Sequence, residues 1–584
     1  MLALLLVVLA AGTPFQESLA ELGRSKLKDP QKLHRLFDLA WQSDNAEHPE
    51  LATSRGVPGH NHQWTDESLE AIERRKRETV SLGQALSSID RRKLDAADQL
   101  NYDLFRRNVD DDLAADRFRR ELLAITQLAG PQYLSTTIDI MPARTGRDYQ
   151  DIVARLDGIP QRLGQVEARL RRGVESGVVS PRVILRDVAA QLDAQTPQDP
   201  LQAPLLKPFV TLPEGIPEEA RADAVRIYRE KIVPAYRKLR EYFVSEYVPH
   251  ARETVALSAL PDGVDWYLER VRRETTTSLT PHEIHQLGLS EVKRIRGEME
   301  KVLARLGFKG SLADFATFLR TDPRFYFTDA RELVREYRDI AKRVDPELTR
   351  LFGKLPRLPY GVVEIPAFSA PSQTTAYYRQ GAPEAHRPGS YFVNTYKLDT
   401  RPKWEMEALT LHESVPGHHL QIALSQELTS VPEFRKTSRY VAFVEGWGLY
   451  AESLGPELGM YQDPYSQFGQ LTYEMWRAIR LVVDTGMHAL GWSRDQAIDY
   501  FKQNSAKTEH DIVVEIDRYI VMPGQALAYK IGELKLKELR ALASKELGAK
   551  FDLRTFHDAV LGSGALPLDV LEENVRAFIA QQRR

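Results

Sequence analysis

A hydrophobic period of about 3.6 residues runs through most of this chain and limits its fold more than any other feature. Between Tyr149 and Gly177, the residues Ile152, Leu156, Ile159, Leu163, Val166 and Leu170 recur every three or four positions, with Arg, Asp, Gln and Glu between them. That spacing lays an apolar stripe along one helical face and requires a core to cover it. The pattern holds almost throughout from Pro14 to Leu355, and Pro217 to His250 repeats it, with Arg237, Lys238 and Arg240 read as a solvated face. The Pro-rich breaks at Thr196–Pro217 and Pro261–Gly263 read as loops between helices. No repeat with a period of roughly 20–50 residues is present.

The character changes between Leu355 and Thr400. Gly361–Ile365, Thr375–Tyr378 and Ser390–Thr395 are short β-rich runs, broken by Pro366, Pro371, Gly381, Pro383, Pro388 and Gly389. They predict a small sheet inserted in a mostly helical protein, and after Thr400 the pattern is helical again. The expected division is therefore a helical region over 13–355 and a second region over 356–584.

Composition narrows the function classes. The chain has 79 basic and 82 acidic residues, a net charge of −3, so nothing in its charge favours nucleic acid or an anionic membrane. With no cysteine there is no disulfide framework, no thiolate metal site, no cysteine nucleophile and no lipid-modified cysteine. Any metal has to be held by His, Asp or Glu. Residues 2–11 form an apolar run followed by polar sequence. A bilayer span takes ~20 residues, so the run suits a secretory signal over residues 1–12, with Ala10, Ala11 and Gly12 as the cleavage zone. No Lys or Arg precedes it, and a buried N-terminal helix is the alternative. Export to the periplasm or the medium is the expectation, with no membrane span in the mature chain.

Three of the 14 histidines, His412, His418 and His419, cluster in the string HESVPGHHLQ. In the usual zinc-hydrolase helix, histidines at i and i+4 face one metal and the Glu at i+1 serves as base. Here i+4 is Pro416, which cannot ligate. On an ideal helix of ~100° per residue, His418 points roughly 120° away from His412, and His419 about 20° away but ~10 Å along the axis. Pro416 removes a helical hydrogen bond and Gly417 tolerates an irregular backbone. A bulge absorbing two residues would bring His418 to the place of i+4; His419 is the second choice. Downstream, Glu445 sits in the apolar stretch Tyr440–Ala451, where a carboxylate is costly unless paired or metal-bound. Glu452 reads either as a partner of a ligand histidine or as an ordinary solvated Glu. Thr280-Pro281-His282-Glu283-Ile284-His285 mimics a metal motif, but its histidines are three apart, and a capping box explains it better.

The string HESVPGHHLQ, with FVEGWGLYAE after it and RYIVMPGQALAYKIGE later, resembles the bacterial family called domain of unknown function 885. LTPHEIHQLGL, PGSYFVNT and RLVVDTGMHALGWS extend the resemblance over nearly the whole mature chain. More distantly the layout is similar to thimet-oligopeptidase-like zinc metallopeptidases, the gluzincins. It departs from them by two extra residues between the His-Glu pair and the next histidine.

The resemblance implies a large, mostly α, gluzincin-like fold with a deep cleft, the small sheet preceding the zinc helix. It implies one zinc ion held by His412, His418 and Glu445, Glu413 as general base, and Tyr529 and Tyr519 as donors to the oxyanion. The expected activity is hydrolysis of short peptides. Hydrolysis of cell-wall peptides or a modified amino acid, or peptide capture without turnover, are the alternatives. Tyr391–Thr395 is the candidate strand for pairing with an extended substrate, with Asn394 at its exposed end. Arg477, Arg480, Asp484 and His488 share one helical face, read either as a substrate wall or as a salt-bridged packing face. Arg518 is a candidate for a peptide's terminal carboxylate, with pairing to Glu515 or Asp517 as the alternative.

Overall fold

The computed structural model describes residues 12–367 and 370–584, so the expected secretory signal falls outside the described residues except for Gly12. The chain forms two compact units. One comprises Met1–Val179, Asp187–His250 and Ser430–Phe434; the other comprises Ser180–Arg186, Ala251–Thr429 and Arg435–Arg584. Almost all regular structure is helix, as the periodicity predicts, and no helix among the described residues is long and apolar enough to cross a membrane.

In the first unit, α1 (Asp29–Glu47), α2 (Leu69–Ser87) and α3 (Ala96–Ala115) enclose Leu33, Leu36, Phe37, Leu86, Phe105 and Val109. The amphipathic stretch from Tyr149 becomes two helices, α4 (Gly146–Asp157) and α5 (Ile159–Ser176), which bury Ile152, Leu156, Leu163, Val166 and Leu170 as expected. The break comes at Gly158 because Pro160, lacking an N–H, fits only the first turn of a new helix.

The second unit begins with α6 (Gly263–Thr275) and α7 (Pro281–Arg305). Thr280 caps α7 with Glu283 in a capping box, and His285 is buried with its Nδ1 2.9 Å from the Thr485 hydroxyl, so the Thr280–His285 string is structural. The sheet follows: β1 (Tyr360–Glu364), β2 (Ala376–Arg379) and β3 (Gly389–Val393). Its order is β1-β3-β2, with β1 parallel and β2 antiparallel to β3. Then come α8 (Met406–Glu413), α9 (His418–Gln426), α10 (Val441–Glu452), α11 (Pro464–Ala489), α12 (Glu509–Val521) and α13 (Ala528–Leu547).

The compact units do not follow the expected division at residue 356. The reason is α7, whose Gly288 lies against Leu481 and Val482 of α11, tying residues before the sheet to those after it. Lys530 of α13, fully buried, adds to this by meeting Glu291 of α7 at 3.0 Å, Glu474 of α11 at 2.7 Å and Glu533 at 2.6 Å. Helices α10 and α13 cross at glycine: a Cβ on Gly446 would lie 2.5 Å from the Cα of Gly532. A methyl group at Gly532 would lie 1.8 Å from the Ala442 carbonyl oxygen. Gly532→Ala is therefore expected to destabilise the protein by about 1–3 kcal/mol, seen as a lower urea midpoint. Gly297→Ala, in α7 with nothing within 4 Å, is the control. It is expected to be neutral or stabilising by ~0.5–1 kcal/mol.

Candidate metal centre

The bulge expected within one helix is a full break between two. Helix α8 ends at Glu413, Ser414–Gly417 leave helical geometry, and α9 starts at His418. The turn is held from both sides: the Trp447 indole donates to the Pro416 carbonyl at 2.8 Å, and the His419 N–H to the Ser414 carbonyl at 3.0 Å. The consequence is the one the spacing required. The His412 and His418 rings come within 4.6 Å of each other, nearly perpendicular at 80°.

Glu445 of α10 completes the group. Its Oε2 lies 3.4 Å from His418 Nε2 and 3.8 Å from His412 Nε2. One potential ligand atom from each of these three residues lies within 4.8 Å of the others. Behind His412, Nδ1 faces Oε1 of the fully buried Glu452 at 2.8 Å, and Glu452 also meets Arg477 Nη2 at 3.1 Å. A carboxylate at the far nitrogen orients an imidazole and leaves Nε2 for a ligand. The ring is seated over Gly448, where a Cβ would lie 2.6 Å from His412 Cε1. Burial opposes charge on both partners, yet Glu445 and Glu452 raise the His412 pKa to about 9. His412 and His418 in turn hold the Glu445 carboxyl well below its usual range. Two imidazoles and one carboxylate, with Glu445 Oε2 within ion-pairing distance of both Nε2 atoms, are a donor set that fits a zinc-type ion.

His419 does not join them. Its Nε2 donates to the Leu358 carbonyl at 3.0 Å and its Nδ1 accepts from the Tyr378 hydroxyl at 2.9 Å. Burial pushes its pKa down to about 4, so the ring is neutral and both nitrogens are occupied. Of the two histidines left open by the spacing, His418 is the one brought to His412.

A cavity of about 540 Å³ opens beside this group, lined by His412, Glu413, His418 and Glu445 together with Arg477, Arg480, Arg518 and Tyr529. The Tyr529 ring stacks nearly parallel to His412 with centroids 6.4 Å apart, and among the described residues its hydroxyl has only a long 3.5 Å contact from Gln525. Tyr519 is different: it is fully buried, its hydroxyl accepts from Arg480 Nε at 2.8 Å and Trp476 Nε1 at 3.0 Å, and it is not part of the cavity wall. The expectation that Tyr519 donates to an oxyanion is corrected, because its hydroxyl is consumed in positioning Arg480.

The shared face of α11 splits in the same way. Arg477 and Arg480 line the cavity, whereas Asp484 accepts from the Tyr267 hydroxyl at 2.6 Å and from the Gly524 N–H. His488 accepts from the Leu257 N–H at 3.0 Å and donates to the Tyr519 carbonyl at 3.1 Å. It is wholly buried and pins a loop and α12 to α11, so the substrate-binding role expected of it is not what the geometry supports. Arg518 pairs with Glu515 at 3.2 Å, as its structural reading expects, and it also lines the cavity.

Asn394 is corrected as well. It is buried, and its amide donates to the Ala370, Gln373 and Thr374 carbonyls at 2.9–3.1 Å, closing the loop before β2. Its strand, β3, lies in the middle of the sheet with both sides paired, and the strand lining the cavity is β2, through Ala376, Tyr377 and Tyr378. Residue alternation could mark these runs as strands but carried no signal for which one is the edge. Arg270, Arg439 and Trp476 also line the cavity and were not anticipated. Their only sequence signal is a cation or aromatic in an otherwise ordinary helix or loop.

The family model described as "Bacterial protein of unknown function (DUF885)" matches residues 49–575. Among solved structures, the chain is similar to one described as a "putative lipoprotein" from Colwellia psychrerythraea. The two share 28% identity with a TM-score of 0.87, covering 95% of this chain and 100% of that one. A "putative lipoprotein of unknown function" from Shewanella oneidensis matches at 16% identity and a TM-score of 0.65, over 94% of this chain and 99% of that one, and shows the fold alone. No curated protein matches the chain.

The His488 environment sets a pH dependence of stability. Burial lowers its pKa from 6.5 to about 4. Between those values the unfolded chain takes up a proton that the folded one refuses, so stability is lost as pH falls from about 6.5 to about 4. The upper limit is ~1.4 kcal/mol per pH unit. Asp484, whose pKa burial raises to about 7, acts in the opposite sense and is common to both proteins compared. His488→Gln, which keeps a donor and an acceptor, is expected to lose less stability than the wild type between about pH 7 and pH 5. Urea midpoints at the two pH values measure this; equal losses in both proteins would refute it.

Proposed function

The chain belongs to the DUF885 family of bacterial proteins of unknown function, and we propose that it is a zinc-dependent hydrolase of short peptides, gluzincin-like in plan, with the cavity as its cleft. The observation that carries this reading is the convergence of His412, His418 and Glu445 beside Glu413, with buried Glu452 behind the first histidine. Those three residues would hold one zinc ion. When bound, zinc supplies a Lewis acid and brings the pKa of a coordinated water to about 7.

The protein's own groups then have distinct tasks. Glu413, next to His412 and in the cavity wall, takes the proton from the attacking water and returns it to the leaving amine. Tyr529, whose hydroxyl proton has no strong acceptor among the described residues, donates to the carbonyl oxygen as negative charge grows there. Burial raises the Tyr529 pKa, with Glu445 reinforcing it, so the phenol stays protonated. The β2 edge, the outer strand of the sheet and part of the cavity wall, offers backbone groups to an extended peptide without reading its side chains. Export belongs to the same reading, supported by the apolar run at residues 2–11 and by the solved relative from Colwellia psychrerythraea described as a "putative lipoprotein".

Elemental analysis of protein purified without chelators tests the site. About one zinc per chain is expected, lost in His412→Ala, His418→Ala and Glu445→Ala and kept in His419→Ala. Glu413→Gln should retain the metal while losing roughly 10²–10⁴-fold in peptide hydrolysis. If the wild type takes up no metal even from added zinc, the reading falls. If it binds zinc but cleaves nothing in a peptide library, the hydrolase part falls and a peptide-binding protein is left.

A further inference from the structure

The arginines on the cavity wall are not equally balanced. Arg477 is neutralised by Glu452 at 3.1 Å. Arg480 and Arg518 share one carboxylate among the described residues: Arg480 Nη2 is 3.3 Å, and Arg518 Nη2 3.2 Å, from the same Oε2 of Glu515. Their other side-chain contacts are to neutral groups, Arg480 Nε to the Tyr519 hydroxyl and Arg518 Nη1 to the Gln525 amide oxygen at 3.0 Å. Arg480 is almost wholly buried, and its Nη1 has no hydrogen-bond partner among the described residues.

This arrangement leaves one positive charge in excess within a largely buried wall. Arginine cannot shed its proton to relieve it. Glu515 does not withdraw either: burial raises its pKa, but Arg518 and Arg480 outweigh burial and bring it to about 2. An uncompensated buried cation is costly unless an anion arrives to meet it. The guanidinium is also fixed in place, lying 4.4 Å over the Tyr529 ring and 4.8 Å over the Trp476 ring. The Nη1 of that held, planar group, unpartnered among the described residues, suits one oxygen of a carboxylate.

We propose that Arg480 and Arg518 form a subsite for a substrate carboxylate, so that the protein acts on short peptides anchored by their free C-terminal end. The proposal deepens the zinc-hydrolase reading and rests on it for the cleavage step. Tyr529 sets the distance: its ring neighbours Arg480 on one hand and lies 6.4 Å from the His412 ring on the other. At ~3.5 Å per extended residue, a carboxylate held at Arg480 is about one to three residues from a bond at the candidate metal centre.

The test compares pairs of synthetic tetrapeptides that are identical except for a C-terminal acid or amide. A third member carries the amide and an Asp as its last residue. With zinc-loaded wild type, kcat/KM for the acid is expected to exceed that for the amide by roughly 10–100-fold. Arg518→Gln and Arg480→Lys should bring that ratio close to one. Binding of the same peptides to metal-free protein, followed by calorimetry, provides a readout that needs no turnover and in which no metal can hold the acid. Since Arg480 is buried, each variant is first matched to wild type by circular dichroism, and half-buried Arg518 carries the test if the Arg480 variant does not fold. Acid and amide binding alike would overturn the carboxylate subsite, whether or not peptides are cleaved. An acid preference in binding with no cleavage would uphold the subsite while the hydrolase reading fell. Recovery of binding by the Asp-containing amide would also uphold it and name a side-chain carboxylate as an accepted source.

Discussion

Two helices can come to backbone contact only where neither carries a side chain, and in this protein α10 and α13 do so at Gly446 and Gly532. Everything at the candidate centre is indexed to that crossing. Glu445 is the residue before one glycine, and Tyr529 lies one helical turn before the other. Two residues further along α10, Gly448 gives His412 the space for its ring, and one turn beyond it Glu452 faces the ring's far nitrogen. A single close approach thus sets the carboxylate, the phenol and the orientation of the first histidine together. Helix α8 contributes His412 and Glu413 into a frame that α10 has already defined.

Burial of charge is the second constraint, and it is met by pairing rather than by exposure. Glu452 is inaccessible to solvent and serves both His412 and Arg477; Lys530 is equally inaccessible and answers to Glu291, Glu474 and Glu533. Removing one member of such a group leaves the others as uncompensated buried ions, which costs far more than the pair contributes. The first of these groups reaches the cavity wall through His412 and Arg477. Such pairing explains why the helices around the cavity tolerate so many ionisable residues at core positions.

Much of this was legible in the sequence because helical periodicity and local chemistry are written in neighbouring residues. The apolar stripe of Ile159, Leu163, Val166 and Leu170, the capping box at Thr280 and the Pro416 interruption each depend on a handful of adjacent positions. The ambiguity between His418 and His419 was not legible, since it is resolved by Leu358 and Tyr378, two contacts from distant segments. Asn394 and His488 failed for a related reason. A polar residue near an active region reads the same whether its partners are a substrate or carbonyl groups of its own fold, and here they are Ala370, Gln373 and Thr374 for one and Leu257 and Tyr519 for the other. Strand order in the sheet is likewise a long-range property. Alternation along Tyr391–Thr395 cannot say that β1 and β2 flank it.

The candidate metal donors, the base and the orienting carboxylate all fall between His412 and Glu452, while Arg480, Glu515, Arg518 and Tyr529 come from a later stretch. The two groups meet only in space. In the proposed reading the metal donors and the base lie in one length of the chain and the carboxylate-binding arginines in a later one, which also supplies Tyr529 and, through Arg477, a partner for Glu452. Under that proposal a change at Arg518 retunes what is held, whereas a change at Arg477 is also felt at Glu452 and His412, so drift in the later stretch is free at some positions and constrained at others.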